Sequence, residues 1–141
     1  MRFLTLFSLF ALLIIACNGK PNVVNLQKSP EEASKAFFEA LSALDYDKAQ
    51  ALGTEETQTQ LRYLRADLNM SSDEERAERE KELKLEVKSV NCSEANGKTT
   101  CAVCCNAEGG EASVEMVQQD GKWFVSTSFG FQDQKFEDKE Q

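Results

Sequence analysis

Three pairs of turn residues in the last third of the chain constrain its fold more than any other feature. Asn96-Gly97, Gly109-Gly110 and Asp120-Gly121 are the pairs that two-residue hairpin loops demand, since the central positions of such loops need positive φ. In residues 83–88 the apolar Leu83, Leu85 and Val87 alternate with Lys84, Glu86 and Lys88, the period of a half-buried strand. The pattern predicts a meander of four antiparallel strands at about 83–95, 98–108, 111–119 and 122–131.

Turn geometry also sets register. A two-residue turn at Asn96-Gly97 pairs Ala95 with Lys98 and places Cys92 directly opposite Cys101. The two fall in a non-hydrogen-bonded pair whose α-carbons come within reach of a disulfide. The turn at Gly109-Gly110 sets Cys105 against Val114 and Val103 against Met116, and Asp120-Gly121 sets Met116 against Val125. One face then carries Val90, Cys92, Cys101, Val103, Cys105, Val114, Met116, Trp123 and Val125, an apolar surface for helices to cover. Leu83, Leu85 and Val87 have the opposite parity to Val90, which calls for a bulge near Lys88 or Ser89.

The helices come first along the chain. Ser29-Pro30-Glu31-Glu32 offers a capping serine, a proline at the first helical position and a glutamate three residues after the serine. Ala33, Phe37, Ala40, Leu41 and Leu44 then recur at helical spacing. Asp45-Tyr46-Asp47 starts a short second helix over residues 48–52, ended by Gly53, and Thr54 caps a third whose Leu61, Leu64 and Leu68 form a narrower face. Residues 72–82 are charged on every side and read as a solvated connector. The fold class expected is α+β, with N-terminal helices packed on a curved four-stranded antiparallel meander.

A chain of 141 residues is one domain's worth, long enough to bury a core without metal. Its 16 basic and 24 acidic side chains give a net charge of -8 with no long Lys/Arg cluster, which argues against nucleic acid as a partner. Histidine is absent, so Ser-His-Asp and Cys-His catalysis and His-containing metal sites are excluded. Asp45 and Asp47 have a sufficient local role at a helix start. No enzymatic activity and no cofactor are expected.

Met1-Arg2 is followed by an apolar run over residues 3–16, shorter than the roughly 20 residues of a membrane-spanning helix. It ends in Ile14-Ile15-Ala16-Cys17, which resembles the cleavage junction of a bacterial lipoprotein. That resemblance implies removal of residues 1–16 as a signal peptide, a diacylglycerol on Cys17 and a second acylation, such as palmitate, on its amine. Several acyl chains make membrane residence stable where one does not. Asn18 is not the aspartate associated with inner-membrane retention, so the outer membrane of the cell envelope is the favoured address. Residues 17–28 are then the lipidated N-terminus and a tether.

The motif Cys101-Ala102-Val103-Cys104-Cys105 admits more than one reading. A structural Cys92–Cys101 disulfide suits an oxidising envelope compartment and the hairpin register. Cys104 and Cys105 then form a vicinal disulfide or stay as thiols. The alternative is a thiol-disulfide or metal-handling cluster of Cys101, Cys104 and Cys105. Zinc needs four converging thiolates, yet Cys104 points away from Cys101 and Cys105 if the segment is a strand. A thioredoxin-type dithiol needs Cys-x-x-Cys opening a helix, and this segment is mid-hairpin.

The Ser-Pro-Glu-Glu helix start, Lys35-Ala36-Phe37-Phe38-Glu39-Ala40-Leu41, Asp45-Tyr46-Asp47-Lys48-Ala49 and a meander ending in Asp120-Gly121-Lys122-Trp123 together resemble a known group. They are similar to small bacterial lipoproteins carrying a domain of unknown function in the nuclear transport factor two-like, or cystatin-like, superfamily. The likeness covers residues 29–129. It implies a cone in which the sheet wraps helices over residues 29–131, followed by a charged tail over 132–141. A non-catalytic module that binds a small apolar ligand or an envelope protein is expected; Phe37, Phe38, Trp123, Phe124 and Phe129 are the candidates to line a pocket, although aromatics at these spacings more often form plain core. Ala102, Val117 and Phe124 on the uncovered sheet face would permit a homodimer.

Overall fold

The computed structural model describes residues 21–105 and 110–127, with Cys105 described through its backbone alone. A 3-10 turn, Val24–Leu26, leads into four helices, α1 (Pro30–Ser42), α2 (Tyr46–Leu52), α3 (Glu55–Met70) and α4 (Asp73–Leu83). Four strands follow, β1 (Val87–Ala95), β2 (Lys98–Cys105), β3 (Gly110–Gln119) and β4 (Lys122–Ser126). They form one open antiparallel sheet in the order β1-β2-β3-β4.

Each helix begins where its sequence supplies a cap. The hydroxyls of Ser29, Thr54 and Ser72 and the carboxylate of Asp45 accept from the backbone N–H three residues on, satisfying donors that the first turn leaves open. The reciprocal capping box forms at α4, where Ser72 N–H donates to the Glu75 carboxylate at 3.2 Å. Leu44 takes φ 58°, the left-handed residue that closes α1, and the Asp45 N–H reaches back to the Ala40 carbonyl at 2.8 Å.

Asn96-Gly97 and Asp120-Gly121 are two-residue turns with positive φ at both positions. Cys92 accordingly faces Cys101, and Met116 faces Val125. The bulge lies between Val87 and Ser89, where the alternation required it. The β2–β3 turn differs from expectation. Cys105 pairs with Gly110, Val103 with Ala112 and Cys101 with Val114, so the connection is residues 106–109 and Gly110 belongs to the strand. This moves the register by four residues. An even shift preserves parity, so Cys101, Val103, Val114 and Met116 still share the buried face.

Strand β1 also starts later than the alternation suggested. Leu83 ends α4 and residues 84–86 carry no strand pairing, yet Leu83, Leu85 and Val87 are all half-buried against the core between exposed neighbours. The alternation is real, but it belongs to a helix end and a tight turn at Lys84, where the Leu85 N–H donates to the Leu83 carbonyl at 3.0 Å. The packed chain likewise begins before the capping serine: Val23 and Gln27 are buried, so residues 23–28 belong to the folded unit. The ends expected for the second and last strands (residues 106–108 and 128–131), Cys17 and the tail over 132–141 lie outside the described residues.

Helix α1 lies on the inner sheet face and buries Ala33, Ala36, Phe37, Ala40 and Leu41 there. Helices α2 and α3 close the β4 edge. The Trp123 N–H donates to the Gln27 carbonyl and the Gln27 Nε2 donates to the Trp123 carbonyl, while the Thr54 N–H donates to the Val125 carbonyl at 2.9 Å. Buried Thr57 donates to the same Val125 carbonyl at 3.0 Å and accepts from the Thr127 N–H at 2.9 Å. Gly53 bridges to Val125, and a Cβ there would sit 2.8 Å from Thr57 Cγ2. Gly53→Ala is therefore expected to lower stability by about 1–3 kcal/mol. Thr57→Ser, which removes that methyl, should recover part of the loss in the double variant when urea midpoints are compared.

Candidate functional site

The sequence pointed to the cysteine hairpin, and the structure separates its members. Cys92 and Cys101 are joined across β1 and β2 with their α-carbons 4.0 Å apart, the close spacing of a non-hydrogen-bonded pair. Cys101 is fully buried among the core residues, while Cys92 is half-exposed. Cys104 is exposed as a free thiol on the opposite, outer face of β2, between Ser89 and Glu111. Cys101 and Cys104 thus do not converge, as strand alternation dictates. Among the described residues, no three Cys, Asp or Glu side chains sit together as a metal-holding group.

The aromatic residues divide in the same way. Phe37 and Phe38 are core residues, packed edge to face with ring centroids 5.6 Å apart. Trp123 is half-buried against the core, whereas Phe124 is half-exposed on the outer face opposite Val117. Phe129 lies outside the described residues. Among the described residues, one open groove, of about 540 Å³, lies along Glu74, Glu75, Ala77, Glu78 and Lys81 of α4, and two more lie beside α1. One, of about 520 Å³, runs along Glu39, Ser42, Ala43 and residues 84–87. The other, of about 200 Å³, lies where Pro30 and Glu31 approach Cys92, Ser93, Glu94, Thr99 and Trp123. The aromatics of the core fill space and do not line a cavity shared with these grooves, apart from Trp123 at the last.

Asp45 and Asp47 act locally. Asp45 caps α2, and Asp47 pairs with Arg65 at 3.3 Å on the surface. Beside them, the Tyr46 hydroxyl is buried with no hydrogen-bond partner among the described residues. Burial pushes the Tyr46 phenol above its ordinary 10.0, the Glu80 carboxylate pushes it the same way, and the Arg65 guanidinium opposes. Sequence reasoning missed Gln27 and Thr57, the side chains that seal the β4 edge. Thr57 carried a signal, a small polar residue at the third position after the Thr54 cap; Gln27 carried none.

Among the described residues no helix is long and apolar enough to cross a membrane. No protein-family model matches the chain, and neither a curated protein nor a solved structure is similar to it.

Two outcomes follow from this geometry. Replacing Cys92 and Cys101 together by alanine should cost about 2–3 kcal/mol, the loop-closure constraint of a short hairpin, as read by urea unfolding; in the unaltered protein a maleimide should label Cys104 quickly and Cys101 only after reduction and unfolding. For Tyr46, the folded state disfavours the phenolate. Its contribution is complete below pH 10 and is lost as pH rises through the raised folded value, because the unfolded chain ionises first. Tyr46→Phe should remove that part of the alkaline loss and leave stability at pH 7 unchanged or higher, since no hydrogen bond is given up.

Proposed function

We propose that the chain is a membrane-anchored lipoprotein of the bacterial cell envelope, held by lipid at Cys17 and presenting a non-catalytic interaction module of the cystatin-like or nuclear transport factor two-like type. The Cys92–Cys101 pair is the observation that carries this reading. A cross-strand pair of half-cystines is at home in an oxidising compartment and rare in a reducing one, and the Ile14-Ile15-Ala16-Cys17 junction supplies the route there. The two features are independent, since neither the position nor the chemistry of Cys17 bears on the hairpin.

Within that reading, protein interaction is favoured over small-ligand binding. The inner face of the sheet is occupied by Phe37, Phe38, Leu41 and Leu61, and the remaining grooves are open to solvent. A buried apolar ligand is normally enclosed on most of its surface. The outer membrane is preferred over the inner on the strength of Asn18. The competing thiol or metal role for Cys101, Cys104 and Cys105 is weakened by the pairing of Cys101 with Cys92 and by the outward position of Cys104.

Mass spectrometry of the protein extracted from its native membrane tests the proposal. The expected N-terminal peptide begins at Cys17 with diacylglyceryl and amide-linked acyl chains, the Cys92–Cys101 peptides are linked before reduction, and Cys17→Ala accumulates with residues 1–16 attached. A soluble chain that begins at Met1 with all five sulfurs reduced would sink it.

A further inference from the structure

The groove of about 200 Å³ at the start of α1 brings an indole together with two carboxylates. It is lined by Pro30 and Glu31, by residues 92–94 and Thr99 of the β1–β2 hairpin, and by Trp123. Glu31 and Glu94 are both exposed, and neither has an ion-pair partner among the described residues. Lys98, the basic residue next to Thr99, has the opposite strand parity and is taken up by Glu115 at 3.5 Å on the outer face. The negative charge at the groove is thus left unmatched. An indole is the aromatic surface that attracts a cation best, and a carboxylate adds a charge-assisted hydrogen bond to the same group. Pockets for whole small molecules run from about 300 to 1,000 Å³, so this space suits a single side chain.

The groove also runs along the end strand of the sheet. Hydrogen bonding in an antiparallel ladder alternates, and the two-residue turn fixes Ala95–Lys98 as a bonded pair, so Ala95 and Ser93 direct their N–H and C=O groups to β2. Cys92 and Glu94 therefore direct theirs outward, to an edge that carries no proline. Such an edge accepts an extended segment through main-chain bonds, and a neighbouring pocket then selects one of its side chains. We infer that the groove takes a lysine or arginine side chain presented by an extended segment of a partner protein, which pairs along residues 92–94. Glu94 serves both parts, its backbone facing the added segment and its carboxylate the cation. The chain's net charge of -8 draws a basic partner towards it over longer range. The inference rests on the interaction-module reading above and names the chemistry of the partner.

Trp123 is the only tryptophan of the chain, so its fluorescence reports on the groove directly. In the purified full-length protein, the blocked peptide Val-Thr-Lys-Thr-Val should change that fluorescence saturably, and the same peptide with its lysine acetylated should not. Glu31→Gln and Glu94→Gln should each weaken binding about threefold, and together about tenfold, and added salt should weaken it further. Both positions are exposed, so the variants are expected to keep the fold, and an unchanged urea midpoint checks this. A blocked single lysine, which cannot pair along the edge, should bind more weakly than the peptide. Absence of a saturable change, or an equal response to the acetylated peptide, overturns the inference. Undiminished binding to the double variant overturns the site, and a single lysine that binds as tightly as the peptide overturns the strand pairing. The titration makes no use of Cys17, so a negative result leaves the mass of its peptide as expected, and failure here is distinct from failure of the lipoprotein reading.

Discussion

The Val125 carbonyl is the joint of this molecule. It accepts from the Thr54 N–H and from the Thr57 hydroxyl, so both lone pairs are used, and Thr57 in turn receives the Thr127 N–H. Gly53 makes the close approach possible, since a side chain there would meet the Thr57 methyl. Through these few atoms the α2–α3 junction becomes, in effect, the next element of the sheet beyond β4. The helices are thereby fixed relative to the strands in a way that apolar packing, which is non-directional, would not enforce alone. Buried polar groups of this kind must be satisfied completely, and here they are.

With one edge closed by hydrogen bonds and one face closed by α1, the chemistry left over collects on β1 and the outer face. That is the reason the cysteines part company. Cys101 is drawn inward with Val103 and Val114 and held by Cys92, while Cys104 is turned out among Ser89, Asn91 and Glu111. A reactive or metal-binding thiol cluster needs its sulfurs on one side of the strand, and odd spacing between Cys101 and Cys104 forbids it.

Much of this was readable from local chemistry. The Asn96-Gly97 and Asp120-Gly121 turns were sufficient to give the pairings of Cys92 with Cys101 and Met116 with Val125, and the parity change at Val90 was sufficient to locate the bulge. The Gly109-Gly110 pair misled because a glycine can also begin a strand, and nothing local separates that from a two-residue turn. The Leu83-Leu85-Val87 alternation misled for a related reason. Inward-facing side chains at every second residue also arise where a helix end runs into a tight turn, as at Leu83 and Lys84, and do not reveal whether a neighbouring strand is there to pair with. Gln27 was illegible because its partner is Trp123, 96 residues away, and no short-range pattern records such a contact.

Helix α4 has a thermodynamic character of its own. It has no buried residue; Arg76 and Arg79 hold it to α3 through the Leu68 and Asn69 carbonyls and the Asp67 carboxylate, and only Leu83 at its end reaches the core. Detaching residues 73–82 would uncover almost no apolar surface, so the opening would carry little heat-capacity change and little sensitivity to denaturant. Its amides are thus free to exchange with solvent deuterium through a local event while β2 and β3 exchange only through global unfolding, making a single small domain behave as two units of very unequal persistence.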